Sequence, residues 1–283
     1  MQHSSLRPLT LSVAVRRRAD RFGIDPFYSD FVAGMEDSLR PYEGSALLRT
    51  VDSTEEEIED YRRWAVDKRI DGVVMVDFVE HDPRIGVIEE IGLPALLLGG
   101  DADLEFPRIG VDNARAMNDA IAYLAGLGHR RIGRVSGPSD LLHTRTRTRA
   151  FESALAAHGA EGRTVEGDYT AGSGATGTRT LLDAAERPTA IVYDNGQSAV
   201  AGVEAARELG FTIPQDLSLL AWDDSAECQL SDPPLSVMDR DVRSLGAAAA
   251  SALLDVIEGR TVTVVRAREA LVVERGTTAP PAA

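Results

Sequence analysis

Residues 127–155, LGHRRIGRVSGPSDLLHTRTRTRAFESAL, place three arginines at alternate positions: Arg145, Arg147 and Arg149. A helix turns about 100° per residue, so Arg145 and Arg149 share a face and Arg147 points about the opposite way. A guanidinium is a fixed fork of donors suited to hydroxyl, carboxylate or phosphate oxygens. His143, four residues before Arg147, lies on the Arg147 face. Further polar groups follow apolar runs. Arg16-Arg17-Arg18 follow the first run, Tyr169 follows 164–168, Asp194-Asn195 follow 190–193, and Asp223-Asp224 follow 217–222. Carboxylate, amide and guanidinium together suit polyol recognition, and an aromatic face such as that of Tyr169 covers the apolar side of a sugar ring. Each has a plainer role. Asp and Asn after a strand cap helices or form turns. A triple arginine is a solvated loop, and His143 is a surface helix residue.

These side chains need elements to hold them. Residues 132–136 read as a strand, Gly137-Pro138 as a break, and 141–155 as a helix whose first turn overhangs the strand ends. The same alternation runs through the chain. Strands are expected at 9–15, 45–51, 72–76, 94–98, 164–168, 190–193 and 217–222, with closing strands at 262–265 and 270–273. Helices are expected at 26–40, 82–91, 113–127, 174–185, 197–209 and 242–257, and Ser53 with Glu56 begins another as a capping box. Alternation of this kind predicts an α/β protein with two similar doubly wound parallel-sheet lobes and a ligand cleft between them. The expected lobes are 9–111 plus 241–260 and 112–239 plus 261–275, with tails at 1–8 and 276–283.

Composition narrows the function. The chain has 283 residues, with 30 basic and 45 acidic side chains and a formal net charge of −15. Phosphate contacts need clustered Lys and Arg, so this chain by itself is a poor nucleic-acid binder. Cys228 is the single cysteine, which excludes an intrachain disulfide. No leader and no apolar run long enough to span a bilayer is visible, which points to a cytoplasmic protein without a membrane partner. MQHSS reads as tag sequence and TTAPPAA as a disordered tail. The five histidines lack metal-ligand spacing, no metal or cofactor is expected, and His129 reads as a helix-end group. GxSxG, HExxH and a Walker lysine are missing, so no enzyme is expected. Gly172-Ser-Gly-Ala-Thr-Gly177 matches GxGxxG, with Asp194 as a nominal acidic partner, but residues rich in small side chains separate it from the strand.

Several motifs occur in order: LGHRRIGRVSGP, Arg147 three residues before Ala150-Phe151, GDYTAGSG, PTAIVYDN, IPQDLSLLAWDD and PPLSVMDRDVRSLG. Over roughly 9–275 this resembles the effector-binding core of the LacI/GalR-type bacterial transcription repressors. The resemblance implies a periplasmic-binding-protein-like fold of type I, a sugar or nucleobase effector between the lobes, and a homodimer. It implies ligand roles for Arg147, Asn195, Asp223 and Tyr169, for the aromatic pair Phe27-Tyr28, and for Arg240 near the site. It also implies that operator DNA is read only through an N-terminal helix-turn-helix and hinge helix. About eight residues precede the first strand here, so the chain as given is expected not to bind an operator. Gly196 stands where the family usually has aspartate, and Gly99 where some sugar-responsive members carry a carboxylate. Arg16, Arg17, Arg18 and Arg240 form a basic excess, which suggests a sugar with an anionic group. Two other readings are an exported sugar-binding protein of a transporter and a nucleotide-dependent sugar-modifying enzyme.

Overall fold

The computed structural model describes residues 8–16, 25–99 and 106–282. The chain divides into two compact units, residues 1–111 with 242–268 and residues 112–241 with 269–283. Unit 1 begins with β1 (Thr10–Arg16), α1 (Pro26–Leu39), β2 (Ser45–Val51), α2 (Thr54–Asp67), β3 (Gly72–Met75), α3 (Pro83–Ile91), β4 (Ala95–Leu98) and β5 (Arg108–Gly110). Unit 2 follows with α4 (Asn113–Leu127), β6 (Arg131–Ser136), α5 (Leu142–Ala157), β7 (Glu161–Glu166), α6 (Ala171–Leu182), β8 (Ala190–Tyr193), α7 (Gly196–Glu208), β9 (Ser218–Trp222), α8 (Ala226–Leu230) and β10 (Ser236–Asp239). The chain then returns to unit 1 for α9 (Val242–Ile257) and β11 (Val264–Arg266), and ends in unit 2 with β12 (Leu271–Val273).

The sheet of unit 1 runs β11-β5-β4-β3-β1-β2, with every pairing parallel. Parallel strands are covered on both faces, which is why β1 and β3 are buried along nearly their whole length. Helices α1 and α9 pack closely. A Cβ on Gly34 would lie 1.9 Å from the Arg243 carbonyl oxygen, so only glycine permits this approach. At the start of α2, Ser53 accepts from Glu56 N, while the Glu56 carboxylate accepts from Asp52 N at 2.6 Å. The expected capping box is thus present, with its return bond shifted one residue outward.

The sheet of unit 2 runs β12-β10-β9-β8-β6-β7, parallel except for the antiparallel β10–β12 pair. Alternate strand residues face opposite layers. Ile132, Val192, Leu220, Trp222 and Met238 pack under α4 and α5, while Val135, Ile191, Tyr193, Leu219 and Ala221 pack under α6 and α7.

Four expectations need correction. Residues 261–268 belong to unit 1, because β11 pairs with β5, a short strand inside what reads as a linking stretch. The strand expected at 164–168 is β7, a polar sheet-edge strand over Glu161–Glu166 with no apolar alternation to mark it. Helix α6 starts before 174, because Thr170 caps it by accepting from Ser173 N. The tail is ordered through residue 282: Thr277 Oγ1 accepts from Ser236 N at 2.8 Å and donates to the Leu219 carbonyl at 2.7 Å. His129, fully buried, bonds Thr189 Oγ1 at 2.9 Å and the Ala279 carbonyl at 3.0 Å. Its role is to hold the tail, beyond ending a helix. The tail has no core of its own, but strands of unit 2 supply the polar partners that its composition cannot reveal.

Candidate functional site

In unit 2 the strand ends carry a connected polar cluster. Arg147, from the second turn of α5, is 4% exposed, whereas Arg149 on the other face is exposed. The helical-wheel separation of these arginines is therefore realised. Arg147 Nε donates to Asn113 Oδ1 at 2.9 Å, and Nη1 donates to the Asp194 carbonyl at 3.3 Å. The guanidinium carbon lies 4.4 Å from the centre of the Trp222 ring, a cation–π distance. Among the described residues none accepts a hydrogen bond from Nη2. Burial lowers the Arg147 pKa from its ordinary value, Asp194 opposes the shift, and Arg240 adds to it.

Asp194 anchors a second arginine. Arg134 Nε and Nη2 reach its two carboxylate oxygens at 2.8 and 2.6 Å, and Arg134 Nη1 donates to Thr148 Oγ1 at 2.8 Å. Arg147 Nη1 stands 3.7 Å from Asp194 Oδ2. Burial would raise the Asp194 pKa, but the charges of Arg134 and Arg147 outweigh it and hold the carboxyl below the ordinary carboxylate range.

The other expected residues of this unit stand nearby. Asn195 caps α7 by accepting from Ser198 N at 3.2 Å, and its Nδ2 donates to the Tyr169 carbonyl at 2.9 Å. Both the capping role and a strand-end position are thus realised. Tyr169, with φ +70°, shares a 2.7 Å hydrogen bond with His143 Nε2 and stacks on that ring. His143 is thereby part of the cluster. Asp223, with φ +68°, accepts from Arg240 Nε and Nη2 at 2.7 Å each. Non-glycine residues held at positive φ cost energy and concentrate at functional sites. Asp224 turns away to Arg275, also in a two-pronged pair.

Arg16, Phe27 and Tyr28 belong to unit 1. Tyr28 Oη donates to Asp77 Oδ2 at 2.8 Å, and Phe27 packs edge-on against the Tyr28 ring. Arg16 donates to Thr54 Oγ1 and the Asp77 carbonyl, both at 3.3 Å. Arg84 holds the same turn from below: buried, it bonds the Val76 and Asp77 carbonyls and pairs with Glu57 and Asp82. Arg16 is therefore tied into its own unit, which weakens its part in the expected basic excess. Arg17 and Arg18 lie outside the described residues.

The sequence did not single out Asn113, Arg134, Trp222 or Asp77, and it offered Asp194 only as one of several strand-end polar groups and as a nominal nucleotide ligand. One signal was present: Arg134, set among the small and apolar residues that follow Arg131 in β6, demands a carboxylate. The glycine motif has a different role. Its residues lie within α6, and a Cβ on Gly174 would meet the Ser198 backbone at 2.4 Å, so it serves helix packing. Gly196 packs where a Cβ would lie 2.6 Å from Cys228 Sγ, and Gly99 has φ +83°. Among the described residues no group of three or more His, Cys, Asp or Glu side chains could hold a metal ion, and no helix is long and apolar enough to cross a membrane.

Comparison with known proteins decides the family. A model of the periplasmic binding protein-like domain matches residues 121–278. The crystal structure of a LacI family transcriptional regulator from Bifidobacterium animalis subsp. lactis superposes with a TM-score of 0.86 at 31% identity, covering 96% of this chain and 98% of that one. This chain belongs to the LacI family. The HTH-type transcriptional repressor CytR of Escherichia coli (strain K12) is 28% identical over 244 residues, 84% of this chain and 71% of CytR. The complex of the transcriptional regulator CelR with cellobiose superposes with a TM-score of 0.85 at 26% identity, covering 96% of this chain and 86% of that one. The chain has the effector-binding core of these regulators, in the periplasmic-binding-protein-like fold.

Proposed function

We propose that this LacI-type domain senses a sugar or sugar derivative and transmits its binding to operator affinity. Arg147 carries the reading. It is buried, clamped by Asn113 and Asp194 and stacked on Trp222, so its remaining edge is held in one orientation at the strand ends. Fixed donors beside an aromatic wall are what sugar recognition needs. Asp223 with Arg240, Asn195, Tyr169 and His143 complete the contacts on this unit. Phe27, Tyr28 and Arg16 are the contacts proposed on unit 1. CelR, a relative of the same fold, is known in complex with cellobiose.

The domain acts as a switch only if the effector binds its two arrangements with different affinity. A two-fold homodimer suits the output, because symmetric readers match near-palindromic operators. DNA contact belongs to a helix-turn-helix of the family type, and the place of work is the bacterial cytoplasm. A thermal-shift screen over sugars and nucleosides tests the reading, followed by calorimetry on the hits. Arg147→Ala is expected to weaken binding about 100-fold or more, the equivalent of about 3 kcal/mol for lost charge-assisted bonds, with the fold retained by circular dichroism. Absence of any hit, or unchanged affinity in the variant, refutes the assignment.

A further inference from the structure

Among the described residues, the buried charges around Arg147 do not cancel. Three guanidiniums, Arg134, Arg147 and Arg240, stand against two carboxylates, Asp194 and Asp223. Asp194 is shared between Arg134 and Arg147, and Asp223 is held by both prongs of Arg240. Asp224 cannot serve, because Arg275 takes both its oxygens. Asp168, Asp239 and Asp241 are only half-buried, where solvent screens their charges. The groups form one electrostatic cluster, since the charges of Asp194, Arg240 and Asp223 all act on Arg147.

The excess cannot be relieved by proton loss, because a guanidinium keeps its charge in proteins. Burying an uncompensated charge is unfavourable. Helix N-termini in the same place add to the positive potential. Helix α7 starts directly after Asp194 and Asn195, and α4 starts at Asn113, which accepts from Arg147. The wall lacks an acceptor in a second respect: among the described residues the buried Nε1–H of Trp222 has no partner.

We infer that the effector carries an anionic group, a carboxylate or a phosphate, received by Arg147 on its Nη2 edge. This rests on the reading of these strand ends as the effector site. The anion restores neutrality to the cluster and pairs with a guanidinium whose plane Trp222 and Asn113 already fix. The basis differs from the basic excess legible in the sequence. Arg16 is tied up elsewhere, and the excess arises from Arg134 and Arg147 sharing a single aspartate.

Two measurements on the full chain test the inference. Inorganic phosphate, titrated against chloride at constant ionic strength, is expected to raise the unfolding temperature by several degrees. Arg147→Gln should abolish that rise, and Arg147→Lys, which keeps a charge, should retain part of it. No rise over chloride, or an equal rise in Arg147→Gln from the general stabilising effect of phosphate, overturns the anion site. The second measurement compares neutral sugars with their uronic acids and phosphates by calorimetry. Acidic forms binding about tenfold or more tighter than the neutral parent support the inference, and the better acid distinguishes carboxylate from phosphate. Neutral parents binding equally or better overturn it while leaving the effector reading intact. Phosphate stabilisation through Arg147 with no sugar bound in any form leaves the anion site standing and refutes the sugar reading.

Discussion

Asp194→Ala is the substitution with the most to say about the site. The carboxylate is 1% exposed and takes bonds of 2.8 and 2.6 Å from Arg134, with Arg147 Nη1 3.7 Å away. Removing it leaves two buried guanidiniums without their counter-charge. Breaking one buried ion pair in this way costs about 3–5 kcal/mol. Two charge-assisted hydrogen bonds at about 1.5–3 kcal/mol each give a similar range. Arg134→Met alone costs less, because Asp194 keeps Arg147 beside it. The double variant Arg134→Met/Asp194→Ala removes the pair and leaves a mainly apolar gap under Phe151, so it should regain at least about half of the Asp194→Ala loss. Urea denaturation of all four proteins, read on the transition of unit 2, closes the cycle. The same carboxyl makes stability pH-dependent. Its pKa is lowered on folding, so its contribution is complete above the unfolded value of about 3.9 and fades as pH falls through the folded value. An Asp194→Ala loss below about 1 kcal/mol, or single losses that add within about 0.5 kcal/mol, would show that the cluster is not an interacting unit.

Two further outcomes concern the ordered tail. Burial lowers the His129 pKa, so the unfolded chain binds the proton more readily. The stabilisation is complete above the unfolded value of about 6.5 and declines as pH falls through the folded value. A plot of unfolding midpoint against pH should therefore drop on acidification below neutrality, and His129→Gln should flatten that part of it. An unchanged slope excludes His129 as the source. Thr277→Ala leaves Ser236 N–H and the Leu219 carbonyl unpaired, at about 1–3 kcal/mol for each buried group. A urea midpoint equal to that of the unaltered protein would show that the tail does not contribute to unit 2.

The fold was legible wherever apolar periodicity and caps agree. Helices α4 and α9 occupy the expected residues to the position, and Asp112 and Gly128 close the two ends of α4 with ordinary capping chemistry. Short or polar elements were not legible. Strand β5 spans Arg108–Gly110, and α8 spans Ala226–Leu230, too few residues for any period to emerge. Strand β7 lies at an edge, half in water, so nothing selects an apolar face. The tail is ordered by partners far away in sequence, such as Leu219 and His129, and composition carries no trace of them.

At the site, positions were legible and pairings were not. Helical geometry separates Arg147 from its neighbours, and strand ends single out Asn195 and Asp223. Which carboxylate each arginine meets depends on register. In the β6–β8 pair Arg134 stands opposite Val192, and a strand repeats its facing every two residues, so Asp194 returns to the side of Val192 just past the strand. Val192 and Trp222 pack on the face covered by α4 and α5. Arg134, Asp194 and Trp222 therefore converge on the layer from which Arg147 and Asn113 descend. A one-residue slip in β8 would send Asp194 to the opposite layer and leave two arginines buried without a counter-charge. The ion cluster and the strand register thus require each other, and the same register that fixes the sheet leaves Arg134 and Arg147 one carboxylate, Asp194, between them.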